Sequence, residues 1–310
     1  MKIAIIGAGG IARKAYFRIL LGWPGLEITN VYSRTQATID HIKEEWAITC
    51  GTTDIDTVLV NKPEAAIVIS STASHFKVIT LMLENGLDVY SEKSLTTTSQ
   101  QSYELAKLAE KYQRILVVGF NRRYAPLFQQ AKEIFGDRRI QLALIQKHRT
   151  LGGEPTLDKL YLDDTIHQID LARYYCGDVR PVSTTFTMEK DEITGAVSQM
   201  EIPGGGQCVL VVCRNAGAWQ ESVTLHGDEM TVHVNAFERL VVKYSDHEEI
   251  YGTDRPGSYI SDMRERGFTG ELEHFFECVK TRQTPRTDAS EAANTQVLME
   301  KLLLLAKQSK

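Results

Sequence analysis

The stretch Lys2-Ile3-Ala4-Ile5-Ile6-Gly7-Ala8-Gly9-Gly10-Ile11-Ala12 decides the fold. Lys2 to Ile6 is a short, almost continuous β-branched run, the pattern of a parallel strand buried on both faces. Gly7 to Ala12 fits G-x-G-x-x-G/A, and its position matters more than the match. The glycines follow the strand directly. Ile11, Ala15, Tyr16, Ile19 and Leu20 then recur at helical spacing until Gly22-Trp23-Pro24-Gly25 stops them. In a strand–turn–helix of this kind Gly7 permits the tight turn, Gly9 lets the backbone approach a pyrophosphate, and Ala12 allows close packing of helix on strand. Gly10 and Ile11 open the helix, whose free N–H groups and positive dipole end face the phosphates. This context predicts a dinucleotide site.

The same order repeats downstream. Strands are predicted over 26–32, 65–70, 87–91 and 115–119, alternating with helices over 11–21, 37–46, 77–85 and 99–112, a series that folds as a doubly wound sheet with right-handed crossovers. Near residue 120 the texture changes. A helix over 126–135, a strand over 140–148 and a helix over 163–175 lead into strand after strand from 182 to 251. Pro203-Gly204-Gly205-Gly206 and Gly227-Asp228 turn hairpins there. Helices over 270–280 and 290–307 close the chain. The expected class is α/β: an N-terminal Rossmann doubly wound parallel sheet over 1–120, for NAD(P), plus a C-terminal α+β domain over 121–310 with an open, mainly antiparallel sheet. That second domain would serve substrate binding and oligomerisation, with the last helix packing back on the first.

Composition narrows the class. The 310 residues are 43% hydrophobic and 24% charged, as in ordinary globular proteins. The net charge of −5 is spread along the chain, so no basic stripe offers a nucleic-acid footprint. No run reaches the roughly 18 apolar residues that span a bilayer, and the N-terminus does not read as a secretory signal. The five cysteines are scattered without a CxxC pair, which points to reduced thiols in a cytoplasmic protein rather than a zinc site or a disulfide framework. No acidic, histidine or cysteine cluster has metal-ligand spacing, and no G-x-S-x-G elbow is present.

The second strand ends at Val31-Tyr32-Ser33-Arg34-Thr35. An Asp or Glu there bonds the adenine ribose of NAD. Ser33 and Arg34 suit a 2′-phosphate better, so NADP is favoured over NAD. Asp40 lies too far along the next helix to replace the missing acid.

Six ordered motifs carry a resemblance to a known family. They are Gly7 to Ala12, Ser71-Thr72-Ala73-Ser74-His75-Phe76, Ser91-Glu92-Lys93-Ser94-Leu95, Val118 to Pro126 with Asn121-Arg122-Arg123, Asp163-Asp164-Thr165-Ile166-His167-Gln168-Ile169-Asp170, and Phe268 to Phe275. Together they span almost the whole chain, which resembles the Gfo/Idh/MocA oxidoreductases and, within them, the MviM-like virulence-factor homologues. The resemblance implies a Rossmann domain with an open antiparallel sheet domain, a homodimer or homotetramer through that sheet, and an active site between the domains. It implies sugar, cyclitol or polyol substrates. Glu92 and Lys93 fall in the family's E-K-P motif, and Asp163 and His167 in its D-x-x-x-H helix. Ser94 stands where the family has a proline preceded by a cis bond. Either the Lys93–Ser94 bond is trans and Lys93 sits differently, or surrounding contacts hold it cis.

On their own chemistry, these residues read as follows. Lys93, at the end of a buried strand, is able to donate to a substrate oxygen and, once desolvated, to shuttle a proton. Asp163, His167 and Asp170 stand at i, i+4 and i+7, a polar stripe beside apolar Ile166, Ile169 and Ala172. An imidazole, with a typical pKa of ~6.5, suits His167 to take a hydroxyl proton. Asp163 either orients substrate or imidazole, or caps the helix, and Asp170 reads as structural. Thr72 and His75 are candidates for the nicotinamide pocket. Arg122 is a candidate for nicotinamide or an anionic group, against the alternative of a salt bridge. His148-Arg149 is a weaker candidate for substrate. His41, His226, His233, His247 and His274 read as structural.

The expected activity is NAD(P)-dependent alcohol–carbonyl interconversion on a small sugar-like molecule. The rivals are an NAD-dependent glycosidase-type reaction and a non-catalytic NADP(H)-binding sensor.

Overall fold

The structure, a computed structural model, describes residues 1–252 and 261–308. Six parallel strands form one sheet: β1 (Lys2–Ile6), β2 (Glu27–Tyr32), β3 (Gly51–Thr52), β4 (Ala65–Val68), β5 (Asp88–Glu92) and β6 (Leu116–Gly119), in spatial order β3-β2-β1-β4-β5-β6. Ile5 of β1 lies opposite Val31 on one side and Ile67 on the other, and all three are fully buried. This is why the strands read as continuous apolar runs. A π-helical turn (Ala12–Tyr16) and the helices α1 (Phe17–Leu20), α2 (Gln36–Trp46), α3 (Ile55–Val60), α4 (Thr72–Glu84) and α5 (Ser99–Lys111) make the crossovers. The strand order reverses between β1 and β4, the place where sheets of this type bind ligands at their carboxyl ends.

Two features escape the hydrophobic pattern. β3 and α3 are too short, two and six residues, to show a period. α4 begins at Thr72 rather than near 77, because its first inward position is polar. The buried residues His75, Ile79, Met82 and Leu83 follow one helical face.

The second sheet has eight strands. They follow α6 (Pro126–Phe135) and are β7 (Leu142–Thr150), β8 (Arg180–Glu189), β9 (Glu192–Ile202), β10 (Gly206–Cys213), β11 (Asn215–Gly227), β12 (Met230–Asn235), β13 (Arg239–Lys243) and β14 (Glu248–Gly252). Between β7 and β8 lie α7 (Leu157–Lys159), a second π-helical turn (Leu160–Thr165) and α8 (Ile166–Cys176). The spatial order is β14-β13-β12-β11-β7-β10-β9-β8, antiparallel throughout except where β7 pairs parallel with β10. α8 packs on β7 and β10, and α6 on β12. β7 alternates accordingly, with Ala143, Ile145 and Lys147 fully buried and their neighbours half exposed. After α9 (Asp262–Glu265), α10 (Phe268–Thr281) packs on β5 and β6, and α11 (Ala289–Gln308) ends the described chain.

Two compact units result. One joins Met1–Phe120 with Phe268–Ala293, and the other joins Asn121–Gly267 with the chain from Asn294 onward. Among the described residues no helix is long and apolar enough to cross a membrane.

Candidate active site

In the first unit β1 stops at Gly7, whose φ is +114°. A Cβ there would sit 2.7 Å from backbone atoms of Ile69 and Ser70, so only glycine fits. At Gly9 and Gly10 an added Cβ would meet no protein atom within 4 Å. These two face a cleft of about 630 Å³ that also touches Ile11, Ser33 and Arg34. Ala12 is fully buried where the first helical turn leaves the sheet. The loop carrying Ser33 and Arg34 is tied at both ends. Ser33 N–H donates to the Thr52 carbonyl at 3.0 Å, and Thr35 caps α2 by accepting from Thr38 N–H at 3.4 Å. The space kept over bare backbone, a helical start and a guanidinium at the far end fit a dinucleotide. Gly7 to Ala12 would hold its pyrophosphate, and Ser33 and Arg34 its adenine ribose.

The wall of the cleft at the end of β4 is Ser70, Ser71 and Ser74, and neither Thr72 nor His75, the candidates for the nicotinamide pocket, lines it. His75 is fully buried instead. Its Nδ1 lies 3.0 Å from the Ser94 carbonyl and its Nε2 3.1 Å from the Ser70 carbonyl. Burial pushes its pKa down, which keeps the ring neutral and able to donate to only one of them at a time. It therefore braces the segments after β4 and β5 against each other.

Lys93 follows β5 and is half-buried. The Lys93–Ser94 bond is cis. Both oxygens of the buried Glu92 are engaged by protein donors: Oε1 accepts from Tyr16 at 2.7 Å, and Oε2 from the Lys93 N–H at 2.9 Å. Burial, with Glu271 and Glu92 nearby, raises the Tyr16 phenol well above its ordinary value, so it stays a donor. The carboxyl thus holds the Lys93 backbone rather than standing open in the cleft.

In the second unit the expected α-helix over 163–175 is interrupted. Leu160–Thr165 is a π turn and the α-helix starts at Ile166. A π turn holds more residues per turn than an α-helix, so an i, i+4 stripe does not persist through it. Asp163 is exposed and its neighbour Asp164 turns inward. His167 is 8% exposed, on the first turn of α8. Asp170 is buried and pairs with Arg123 at 2.7 Å.

Asp164 anchors a buried charge network that the motif pattern does not reveal. Lys147 Nζ lies 2.6 Å from its Oδ1, and Arg149 Nη2 also 2.6 Å from it. Arg122 grips Glu221 with both fork nitrogens, at 2.8 and 2.6 Å. The candidate Arg122 is therefore committed to a salt bridge inside its own unit. Arg149, the weaker substrate candidate, is likewise held by Asp164. Burial pushes Asp164 up, but Lys147 and Arg149 outweigh it and hold the carboxyl well below its ordinary range. Glu221 is held at about 2 in the same way, its burial overcome by Arg122 and Lys147. Burial lowers Lys147 to about 8, helped by Arg122 and opposed by Glu221 and Asp164.

The family model described as "Oxidoreductase family, NAD-binding Rossmann fold" matches residues 1–120. YceM of Salmonella typhimurium, named as an oxidoreductase, is 30% identical over 97% of both chains. This chain belongs to the Gfo/Idh/MocA oxidoreductase family. The scyllo-inositol 2-dehydrogenase (NAD(+)) of Bacillus subtilis is 24% identical over 96% of this chain and 92% of its own. A solved dehydrogenase (MviM) from Clostridium difficile superimposes with a TM-score of 0.88 at 25% identity, over 98% of each chain.

Several cleft and network residues of this Gfo/Idh/MocA protein carry no motif. Arg13, Thr38 and His41 line the nucleotide cleft, yet sit inside helices where nothing local singles them out. Lys147 did leave a signal. It continues the inward face of Ala143 and Ile145, and a lysine on that face requires a partner.

Proposed function

We propose that this oxidoreductase interconverts an alcohol and a carbonyl on a sugar-, cyclitol- or polyol-like substrate, with NADP(H) preferred over NAD(H). The observation that carries this reading is the open glycine cradle that ends at Ser33 and Arg34, with no carboxylate at the close of β2. When bound, the dinucleotide supplies or accepts the hydride. Lys93 and His167 hold and move the hydroxyl proton, each a type of group suited to it. Asp163, exposed beside the His167 turn, orients substrate. His75 and Glu92, both buried and held by protein partners, support the segment that carries Lys93, and Thr72 and Arg122 are the remaining candidates for the nicotinamide or an anionic group. The substrate class rests on the inositol dehydrogenase among the relatives. The outer sheet face, with half-exposed Leu144, Val209 and Val211, is the surface we assign to a homodimer or homotetramer. The five unpaired thiols suit a cytoplasmic setting.

Fluorescence titration with NADPH and NADH tests the cofactor half. Arg34→Asp is expected to weaken NADPH roughly ten- to a hundredfold, the worth of a charge-assisted contact, and to leave NADH within a few-fold. Preference for NADH in the unaltered chain rejects the reading of Ser33 and Arg34. Sugars and cyclitols screened with the preferred cofactor then test the substrate half. There His167→Asn and Lys93→Met are expected to lower turnover while dinucleotide binding persists.

A further inference from the structure

The adenine end of the nucleotide cleft holds more cationic chemistry than Ser33 and Arg34 alone. Arg13, on the π turn after the glycines, and His41, one turn into α2, line the same cleft as Arg34. Arg13 Nη1 lies 2.6 Å from His41 Nε2. A guanidinium only donates, so Nε2 accepts, and the ring is neutral with its proton on Nδ1. The same Nε2 is 3.1 Å from Glu45 Oε2, one helical turn along α2. One nitrogen cannot accept from Arg13 and donate to Glu45 at once. His41 therefore has two partner states: neutral and bonded to Arg13, or protonated and bonded to Glu45. Protonation releases Arg13 Nη1 from the imidazole, leaving Glu45 Oε2 at 3.9 Å as its nearest ionic partner, and adds a positive charge to the wall. Arg13 also carries a buried Nε with no hydrogen-bond partner among the described residues, a donor still to be matched.

We propose that Arg13 and His41 complete the seat of the 2′-phosphate, and that His41 exchanges Arg13 for Glu45 as the phosphate binds. This rests on the NADP(H) reading above and adds the residues that enforce it. The charged groups that meet His41 are Arg13 from the first βα turn and Glu45 from its own helix, and Arg34 lines the same cleft. Gly51 and Thr52, on the strand packed against α2, carry no charge. A dianionic phosphate attracts the Arg13 guanidinium and favours the charged imidazole, so binding takes up a proton. The bare ribose of NADH does neither.

The test is the dissociation constant of NADPH and of NADH at pH 8 and pH 6.5. Over this range the phosphate monoester, with a second pKa of about 6, stays largely ionised. NADPH is expected to tighten several-fold as the pH falls, under the ceiling of about tenfold per pH unit for one proton, while NADH stays flat. His41→Asn is expected to flatten the NADPH profile, and Arg13→Gln to weaken NADPH roughly tenfold with NADH unchanged. NADH binding reports that the glycine cradle of each variant is intact. Tight NADPH binding that ignores pH and both substitutions overturns the inference and leaves the cofactor reading standing. A wild-type chain that prefers NADH overturns both.

Discussion

The nucleotide cradle of the first unit and the charge network of the second solve opposite problems. The cradle works by omission. Gly7 has no side chain because Ile69 and Ser70 fill its place, and Gly9 and Gly10 leave theirs open to the cleft. Its determinants lie within a few residues of one another. The network works by accumulation. Lys147, Asp164, Arg122 and Glu221 are all buried and depend on protein partners, among them one another and Arg149, and Arg122 and Glu221 are 99 residues apart in the chain. A cradle of this kind tolerates loss of stability but not of space. A buried network tolerates neither a missing partner nor a missing charge, because the group left behind has been taken out of water.

The sharpest way to break the comparison is Glu221→Leu. It strands Arg122, removes one of the two carboxylates beside Lys147, and is expected to cost about 3–5 kcal/mol. That lowers the melting temperature by roughly 10 °C, while any dinucleotide affinity that survives refolding stays within about twofold. A thermal shift under about 2 °C would show that the network carries no stability.

Acid should discriminate the two regions next. Glu221 titrates at about 2 in the folded protein against an ordinary 4.5. A carboxyl depressed in this way contributes stability that is fully present above the ordinary value and is lost as the pH falls towards 2. The contribution is of order 3 kcal/mol. Urea melts from pH 6 to pH 3 are expected to show the second unit weakening first. The pH slope should shrink in Glu221→Gln.

The smallest effects, and the finest contrast, lie within the cradle. Gly7→Ala forces a left-handed φ and a backbone clash, at a cost of about 2 kcal/mol. Gly9→Ala meets no protein atom, so stability should hold within about 0.5 kcal/mol while dinucleotide affinity falls roughly tenfold or more. Equal effects of the two on melting and on binding would show that the space over Gly9 is not kept for a ligand.

The difference between the regions also decides what is legible. β1, the glycine turn and the β2 end at Ser33-Arg34 are local, so reading neighbours in order recovers them. His75 misleads a local reading, because a lone histidine after a strand looks like a ligand group until its two carbonyl neighbours are placed. The π turn at Leu160–Thr165 misleads it further. It exposes Asp163 and turns Asp164 inward, a reversal that α-helical spacing cannot foresee. Arg122 reads equally well as a phosphate ligand or as a salt bridge until Glu221, on β11, is brought beside it.

By itself the sequence determined the doubly wound sheet, the change of texture near residue 120, the nucleotide turn and the family, because periodicity, glycine geometry and ordered motifs act over short spans. Only the tertiary structure decided which polar groups are consumed by partners and which remain facing a cleft. That depends on pairs such as Lys147 with Asp164, Arg122 with Glu221 and Arg13 with His41, whose members meet only after the strands between them have paired. The energy of a buried charge lies in its partner, and one residue's identity does not say where in the chain that partner is.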